Sequence, residues 1–267
     1  MIQNLLSSPA SFGGATQSLF DSIQRMVGGQ RVEKAAADPA GAAVVSKLDS
    51  IAASDRQAVR ATNDGMSIAQ SIDGTAEKAQ DNLVKMRELA VAASSDTAGS
   101  AARQSFQDQV NLLAQQMDQS AASTEYNGIP LTDGSLDSIE VQASSDGADQ
   151  IAIDTADLTA ANLGVDALDL SSSAGAQASI DAIDAALKQV GEVRADVGAQ
   201  HNRLASAAEA GSARVIDQQS AASRIGDIDF ALEASQNASA QLQQDVSTAA
   251  QVQTRNLLAG SVSQLIG

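Results

Sequence analysis

Residues 69–93 read AQSIDGTAEKAQDNLVKMRELAVAA. Within them Ala69, Ile72, Ala76, Ala79, Leu83, Met86, Ala90 and Ala93 recur at spacings of three and four by turns. A helix carrying such an unbroken heptad stripe needs a partner, because it cannot shelter the stripe by itself. Near the other end Ile180, Ile183, Leu187 and Val190 repeat the spacing, and Val197 and Leu204 extend it in steps of seven. The two stretches read as halves of one seam, so the chain turns back on itself. The expected fold is mainly α: a long antiparallel coiled coil or helical rod from the N- and C-terminal segments, with a small β-hairpin region in the middle.

Composition supports thin helix packing. Aromatic residues make up 2% of the 267 and tryptophan is absent, so small side chains must do much of the packing that rings do elsewhere. The net charge of −17 argues against nucleic acid or an anionic membrane as a partner, since phosphate contacts need clustered Lys and Arg. Zero cysteine removes disulfides, thiolate chemistry and Cys-ligated zinc together. The start, Met1 to Pro9, lacks the basic and continuous apolar stretches of a secretory signal, and no run approaches the roughly 20 apolar residues of a membrane span. Export, if it occurs, is expected by a route that does not read a Sec signal.

Both ends are poor in charge. Only Asp21 and Arg25 are charged from Met1 to Gln30, and only Arg255 from Val246 to Gly267. Such segments make poor helices in isolation, and they read either as pieces that order against copies of themselves or as ordinary frayed termini. Asp38-Pro39 has the pattern of an N-cap and first helical residue, and helix is predicted from there to about Ser95. A second helix follows, with Phe106, Val110, Leu113 and Met117 on one stripe. Tyr126-Asn127-Gly128-Ile129-Pro130 marks a turn. Ile139 and Val141, then Ile151 and Ile153, alternate with polar residues as half-buried strands do, and the Asp146-Gly147 pair between them is a hairpin signal.

Catalytic and metal-binding chemistry is hard to place, and neither a catalytic nor a cofactor or metal site is expected. His201 is the only histidine, and continuation of the seam puts it on or beside the packed face. Asp227, Asp229 and Glu233 lack the loop glycine and ligand rhythm of a calcium motif and read better as a solvated helix face. Gly13-Gly14 and Gly28-Gly29 are not followed by Lys-Ser/Thr, so no phosphate loop is signalled. Lys85, Arg87, Glu88 and Leu89 lie off the seam to which Met86 belongs. Leu89 packs on a third helix, or else it sits in a contact patch between subunits.

Five stretches carry a resemblance: Asn63-Asp-Gly-Met-Ser-Ile-Ala-Gln, Met86-Arg-Glu-Leu-Ala-Val-Ala, Glu125-Tyr-Asn-Gly, Asn202-Arg-Leu, and Ser223-Arg-Ile-Gly-Asp-Ile-Asp-Phe-Ala-Leu-Glu. In this order and in both halves, covering about Leu19 to Gln244, they resemble bacterial flagellin. The family's Asn-Thr-Asn opening is missing, Gly226 stands where the family usually has Glu, and His201 where it usually has Gln.

The resemblance implies a structural subunit that self-assembles into the flagellar filament, in a minimal form without variable outer domains. It implies inner, filament-core helices from residues 1–38 and 246–267, a helical rod from 39–125 and 175–245, and a small β region at 126–174. It implies export through the flagellar type III route to an extracellular filament. The partners it implies are other copies of the chain, an export chaperone, and the cap and junction proteins. A host Toll-like receptor is a further one, reading the helix around Arg87, Glu88 and Leu89 with Lys85 and Gln109 at positions that contribute. The alternative use of that patch is subunit contact alone. The rival readings are a hook–filament junction protein and a surface-displayed binding protein on the same scaffold.

Overall fold

Asp38 begins the longest helix in the manner its position predicts. Its Oδ1 accepts the backbone N–H of Gly41 at 2.9 Å, satisfying one of the donors a helix start leaves open. Helix α2 then runs Pro39–Ser94, unbroken at Gly65 or Gly74. The computed structural model describes residues 10–31, 38–147 and 149–266, with side chains from Leu19 to Leu257. Of the charge-poor ends, residues 1–9 and 267 therefore lie outside the described residues. The other elements are α1 (Ala10–Gly28), α3 (Ser100–Ser123), β1 (Glu125–Tyr126), β2 (Ile129–Pro130), β3 (Ser138–Gln142), β4 (Gln150–Asp154), α4 (Ser173–Gly226) and α5 (Phe230–Ile266). The fold is mainly α. It divides into two units, Ile51–Ile216 on one hand and Met1–Ser50 with Asp217–Gly267 on the other.

In the unit Ile51–Ile216, α2 and α4 run antiparallel. Gln70 meets His201, Asp73 meets Arg194 and Arg87 meets Asp184, so position rises on one helix as it falls on the other. Ala69, Ile72, Ala76, Leu83, Met86, Ala90 and Ala93 are fully buried along α2, with Ala79 nearly so. Ile180, Ile183, Val190, Val197 and Leu204 are buried on α4, while Leu187 packs half-buried at the edge of the same core. Helix α3 adds buried Val110 and Met117, with Phe106 and Leu113 partly buried against the cluster.

The alanines keep the helices close, and the β region supplies bulk. Leu131, Ile153, Leu158, Val165 and Leu170 are among the largest fully buried side chains. Each contributes roughly 1.5–3 kcal/mol by leaving water. Strands β3 and β4 pair antiparallel with Ile139 opposite Ile153 and Val141 opposite Ile151, so alternate residues turn one apolar face onto the helices. Gly65 is where they touch α2: a Cβ there would sit 3.1 Å from Val141 Cγ2 and 3.2 Å from Ile153 Cδ1.

The two turns behave differently. Asn127 and Gly128 adopt φ of 52° and 78°, the left-handed pair of a tight two-residue hairpin between β1 and β2. Asp146-Gly147 does not close such a turn, because β3 and β4 end at Gln142 opposite Gln150. The longer loop instead hands the Ser145 N–H to Oδ1 of Asp55 on α2 at 2.9 Å.

Polar side chains tie the irregular stretch to the helices. Gln107 on α3 donates to Leu168 O at 2.8 Å and accepts from Leu170 N at 2.7 Å. Asp118 accepts from Ala160 N at 2.8 Å, and Thr132 Oγ1 donates to Ala121 O at 2.9 Å. Gln107 and Asp118 thereby satisfy loop backbone groups, and Thr132 ties the loop to a carbonyl in the last turn of α3.

Candidate assembly surfaces

Lys85, Glu88 and Leu89 of α2 and Gln109, Leu112, Leu113 and Gln116 of α3 line one groove of about 390 Å³. Helical geometry explains the grouping. Residues three and four apart share a face, so Lys85, Glu88 and Leu89 rise beside the seam on the side α3 occupies. Leu89 is half-buried against the core and shares the groove with Leu112 and Leu113 of α3. Leu112 remains 64% exposed, giving the groove an apolar wall that nothing in this unit covers. Gln109 Nε2 is turned back onto its own helix, donating to Ser105 O at 3.2 Å.

Arg87 is separated from that group. Its Nε donates to Oδ1 of Asp184 on α4 at 2.6 Å. The hydrogen bond, reinforced by charge, raises the arginine's pKa and holds the Asp184 carboxyl below its ordinary value. Four of the five residues singled out in this patch therefore come together, and Arg87 faces the other helix.

His201 sits half-buried beside the seam, with Gln70 Nε2 at 3.2 Å from its own Nε2. An amide nitrogen only donates, so in this arrangement the ring nitrogen accepts. The neighbouring Asp73 belongs to Arg194, 2.9 Å away, and no carboxylate among the described residues orients the imidazole as a general base would require. No group of His, Asp and Glu among the described residues could hold a metal ion. None of the described helices is long and apolar enough to cross a membrane.

In the unit of Met1–Ser50 and Asp217–Gly267, α1 and α5 pack together. Phe20, Ile23 and Val27 on α1 are exposed, as are Leu232, Leu242, Val246, Val252 and Leu257 on α5. The buried positions are instead Leu19, Ser22, Glu233 and Asn237. Large apolar side chains thus point outward on both helices while three of the four buried positions are polar, unlike a helix pair built to stand in water.

Asp227, Asp229 and Glu233 do not form one solvated face. Asp227 accepts from Ser223 Oγ, and Asp229 Oδ1 caps α5 by accepting from Ala231 N at 3.0 Å and Leu232 N at 3.1 Å. Glu233 is buried and binds Arg25 Nη2 at 2.5 Å. That bond is the main force holding its carboxyl below the usual range, against the opposing cost of burial. Sequence reading missed this pair, because its members stand at opposite ends of the chain. The sole charged residues of the first segment, Asp21 and Arg25, were the available clue.

The comparisons agree with this architecture. The family model of the bacterial flagellin N-terminal helical region matches residues 6–137, and that of the C-terminal helical region matches residues 180–264. The flagellin of Halalkalibacterium halodurans is 31% identical over 214 residues, 79% of each chain. The flagellin of Escherichia coli strain K12 is 31% identical over 149 residues, which span 56% of this chain and 30% of that one. The crystal structure of Bacillus cereus flagellin superposes with a TM-score of 0.52 at 26% identity, over 57% of this chain and 88% of that one. A Vibrio parahaemolyticus structure assigned to the flagellar hook-associated proteins gives a TM-score of 0.60 at 13% identity, over 72% of this chain and all of that one, a likeness of fold alone. With helical models matched in both halves and 31% identity over 79% of the chain, this chain belongs to the bacterial flagellins and is a structural subunit of the flagellar filament.

Proposed function

We propose that the chain polymerises through its two ends, with residues 1–38 and 246–267 as filament-core segments. In this reading 39–125 with 175–245 is the helical rod domain and 126–174 its small β region. The observation that carries this is the outward display of Phe20, Ile23 and Val27 on α1 and of Val246, Val252 and Leu257 on α5. Apolar stripes of this size on both members of a helix pair favour cover, and in a homopolymer the cover is the same segment of neighbouring copies. The role is structural rather than catalytic. The accompanying partners are those of the family: an export chaperone, the cap and junction proteins, and the flagellar type III route to an extracellular filament. The α2/α3 groove, with Leu112 as its open wall, is a second surface suited to subunit contact or to a host Toll-like receptor.

Parallel digestion of monomer and polymer tests the reading. Cleavage is expected in α1 and α5 of the monomer, with the same sites protected in polymer. Deleting Val246–Gly267 is expected to abolish polymer while the unit Ile51–Ile216 melts as before. Equal protection of α1 and α5 in the monomer, or a truncated chain that still seeds filaments, would overturn it.

A further inference from the structure

Two polar contacts join α1 to α5, and a backbone clasp ties the chain just after α1 to the segment just before α5. Gly29 N closes the last turn of α1 on Arg25 O at 2.8 Å, and the clasp itself is two bonds, Gly29 O accepting from Ile228 N at 3.2 Å and Arg31 N donating to Gly226 O at 2.7 Å. Gly29 has φ of 69°, a conformation that ends a helix and that residues with a Cβ rarely adopt. One turn further in, Arg25 donates to Glu233 from Nε at 3.0 Å and Nη2 at 2.5 Å. One turn beyond that, Asn237 Nδ2 lies 3.5 Å from Ser22 Oγ. Ser22, Glu233 and Asn237 are each more than nine-tenths buried.

We propose that Arg25 and Glu233, backed by Ser22 and Asn237, are the register-determining residues of the terminal helices. They select one alignment of α1 on α5 and with it the geometry of the outward apolar stripes. An apolar seam tolerates sliding, because one aliphatic contact replaces another. A polar one does not. A slip of one turn brings Ser22 or Gly29 opposite Glu233, leaving a buried carboxylate without a cation, which is strongly unfavourable. A polar residue at a single seam position sets register in coiled coils by this mechanism, at some cost in stability. Here the cost leaves the pair weak alone, so that it becomes firm when neighbouring copies cover Phe20, Ile23 and Val27. The inference rests on the reading that the chain polymerises through its ends.

The test uses the full chain and its lack of cysteine. Arg25→Glu, Glu233→Arg and the double exchange are compared with the parent in seeded polymerisation, read by sedimentation. Each single variant is expected to form at least tenfold less polymer, and the double exchange to recover to within about threefold of the parent. Separately, Ser22→Cys with Asn237→Cys gives an oxidation probe of register in the monomer, since a disulfide requires close Cβ approach. Cross-linking is expected at a rate at least tenfold slower when Arg25→Glu is added. Singles that polymerise like the parent, a double exchange that stays inactive, or cross-linking indifferent to Arg25→Glu would each overturn the assignment. Failure of the parent itself to polymerise would count against polymerisation through the ends, a separate result, and the cross-linking arm would still decide the register claim.

Discussion

Arg87 on α2 grips Asp184 on α4 with two prongs, Nε to Oδ1 at 2.6 Å and Nη2 to Oδ2 at 3.3 Å. Both side chains remain 46% exposed, so solvent screens the pair and its contribution to stability is small. Its effect is on direction. Arg87 is held toward α4 and away from the α2/α3 groove that Lys85, Glu88 and Leu89 line.

Asp184→Asn is therefore expected to release Arg87 with little change in melting at neutral pH. The sign of the acid dependence follows from the depressed Asp184 carboxyl. A lowered folded-state pKa contributes stability that is present above the ordinary value of about 3.9 and is lost as pH falls through the folded value. The small difference between parent and variant should shrink in that acidic window. Thermal melts across pH check this, and a difference that grows on acidification would contradict it.

Leu83 has no exposed surface. Leu83→Ala should cost about 2–5 kcal/mol through lost burial and the cavity left behind. Leu83→Asp should cost more, because a carboxylate would enter the seam without a partner. Circular dichroism melting reads both. A normal melt for Leu83→Asp would refute the seam register.

Gly65→Leu should push the β3–β4 hairpin off α2, since even a Cβ there meets Val141 and Ile153 at 3.1 and 3.2 Å. Overpacking of this kind costs typically about 1–3 kcal/mol. The expected signature is loss of amide protection at β3 and β4, with α2 retained, in hydrogen exchange. Unchanged protection would mean that the close approach is not needed.

The proposed reading of the α2/α3 groove by a host Toll-like receptor gives a prediction. Lys85 offers a point charge where a guanidinium would give a two-pronged contact, and Gln109 carries no charge. Lys85→Arg with Gln109→Glu should raise potency in a Toll-like-receptor reporter assay. Gaining one charge-assisted bond of about 1.5–3 kcal/mol corresponds to roughly tenfold to a hundredfold. Equal potency of parent and double variant would assign the groove to subunit contact.

What the sequence made legible was periodic. The stripe from Ala69 to Ala93, its answer at Ile180 to Val190, the Asp38-Pro39 start and the Ile139/Ile153 alternation all carry short-range spacing that a helix or strand imposes. What escaped depended on tertiary contact. Asp55 stands in a polar stretch of α2 and looks solvated, yet it is fully buried and binds the Ser145 backbone. Gln107 and Asp118 resemble any exposed helix residue until the loops they tether are in place. Lying off the seam of Met86 does not put Lys85 and Arg87 on one face: two positions apart on a helix, they point roughly 200° apart, and Arg87 reaches Asp184 on α4 while Lys85 lines the groove with α3. Glu233 looks solvated in the sequence because its cation, Arg25, lies at the other end of the chain.

Electron microscopy of the purified 267-residue chain after seeding tests the central claim most directly. The account predicts long helical filaments from this chain alone, absent when Val246–Gly267 is deleted. Seeded protein that remains monomeric, or that stops at short rings as a junction protein would, contradicts it.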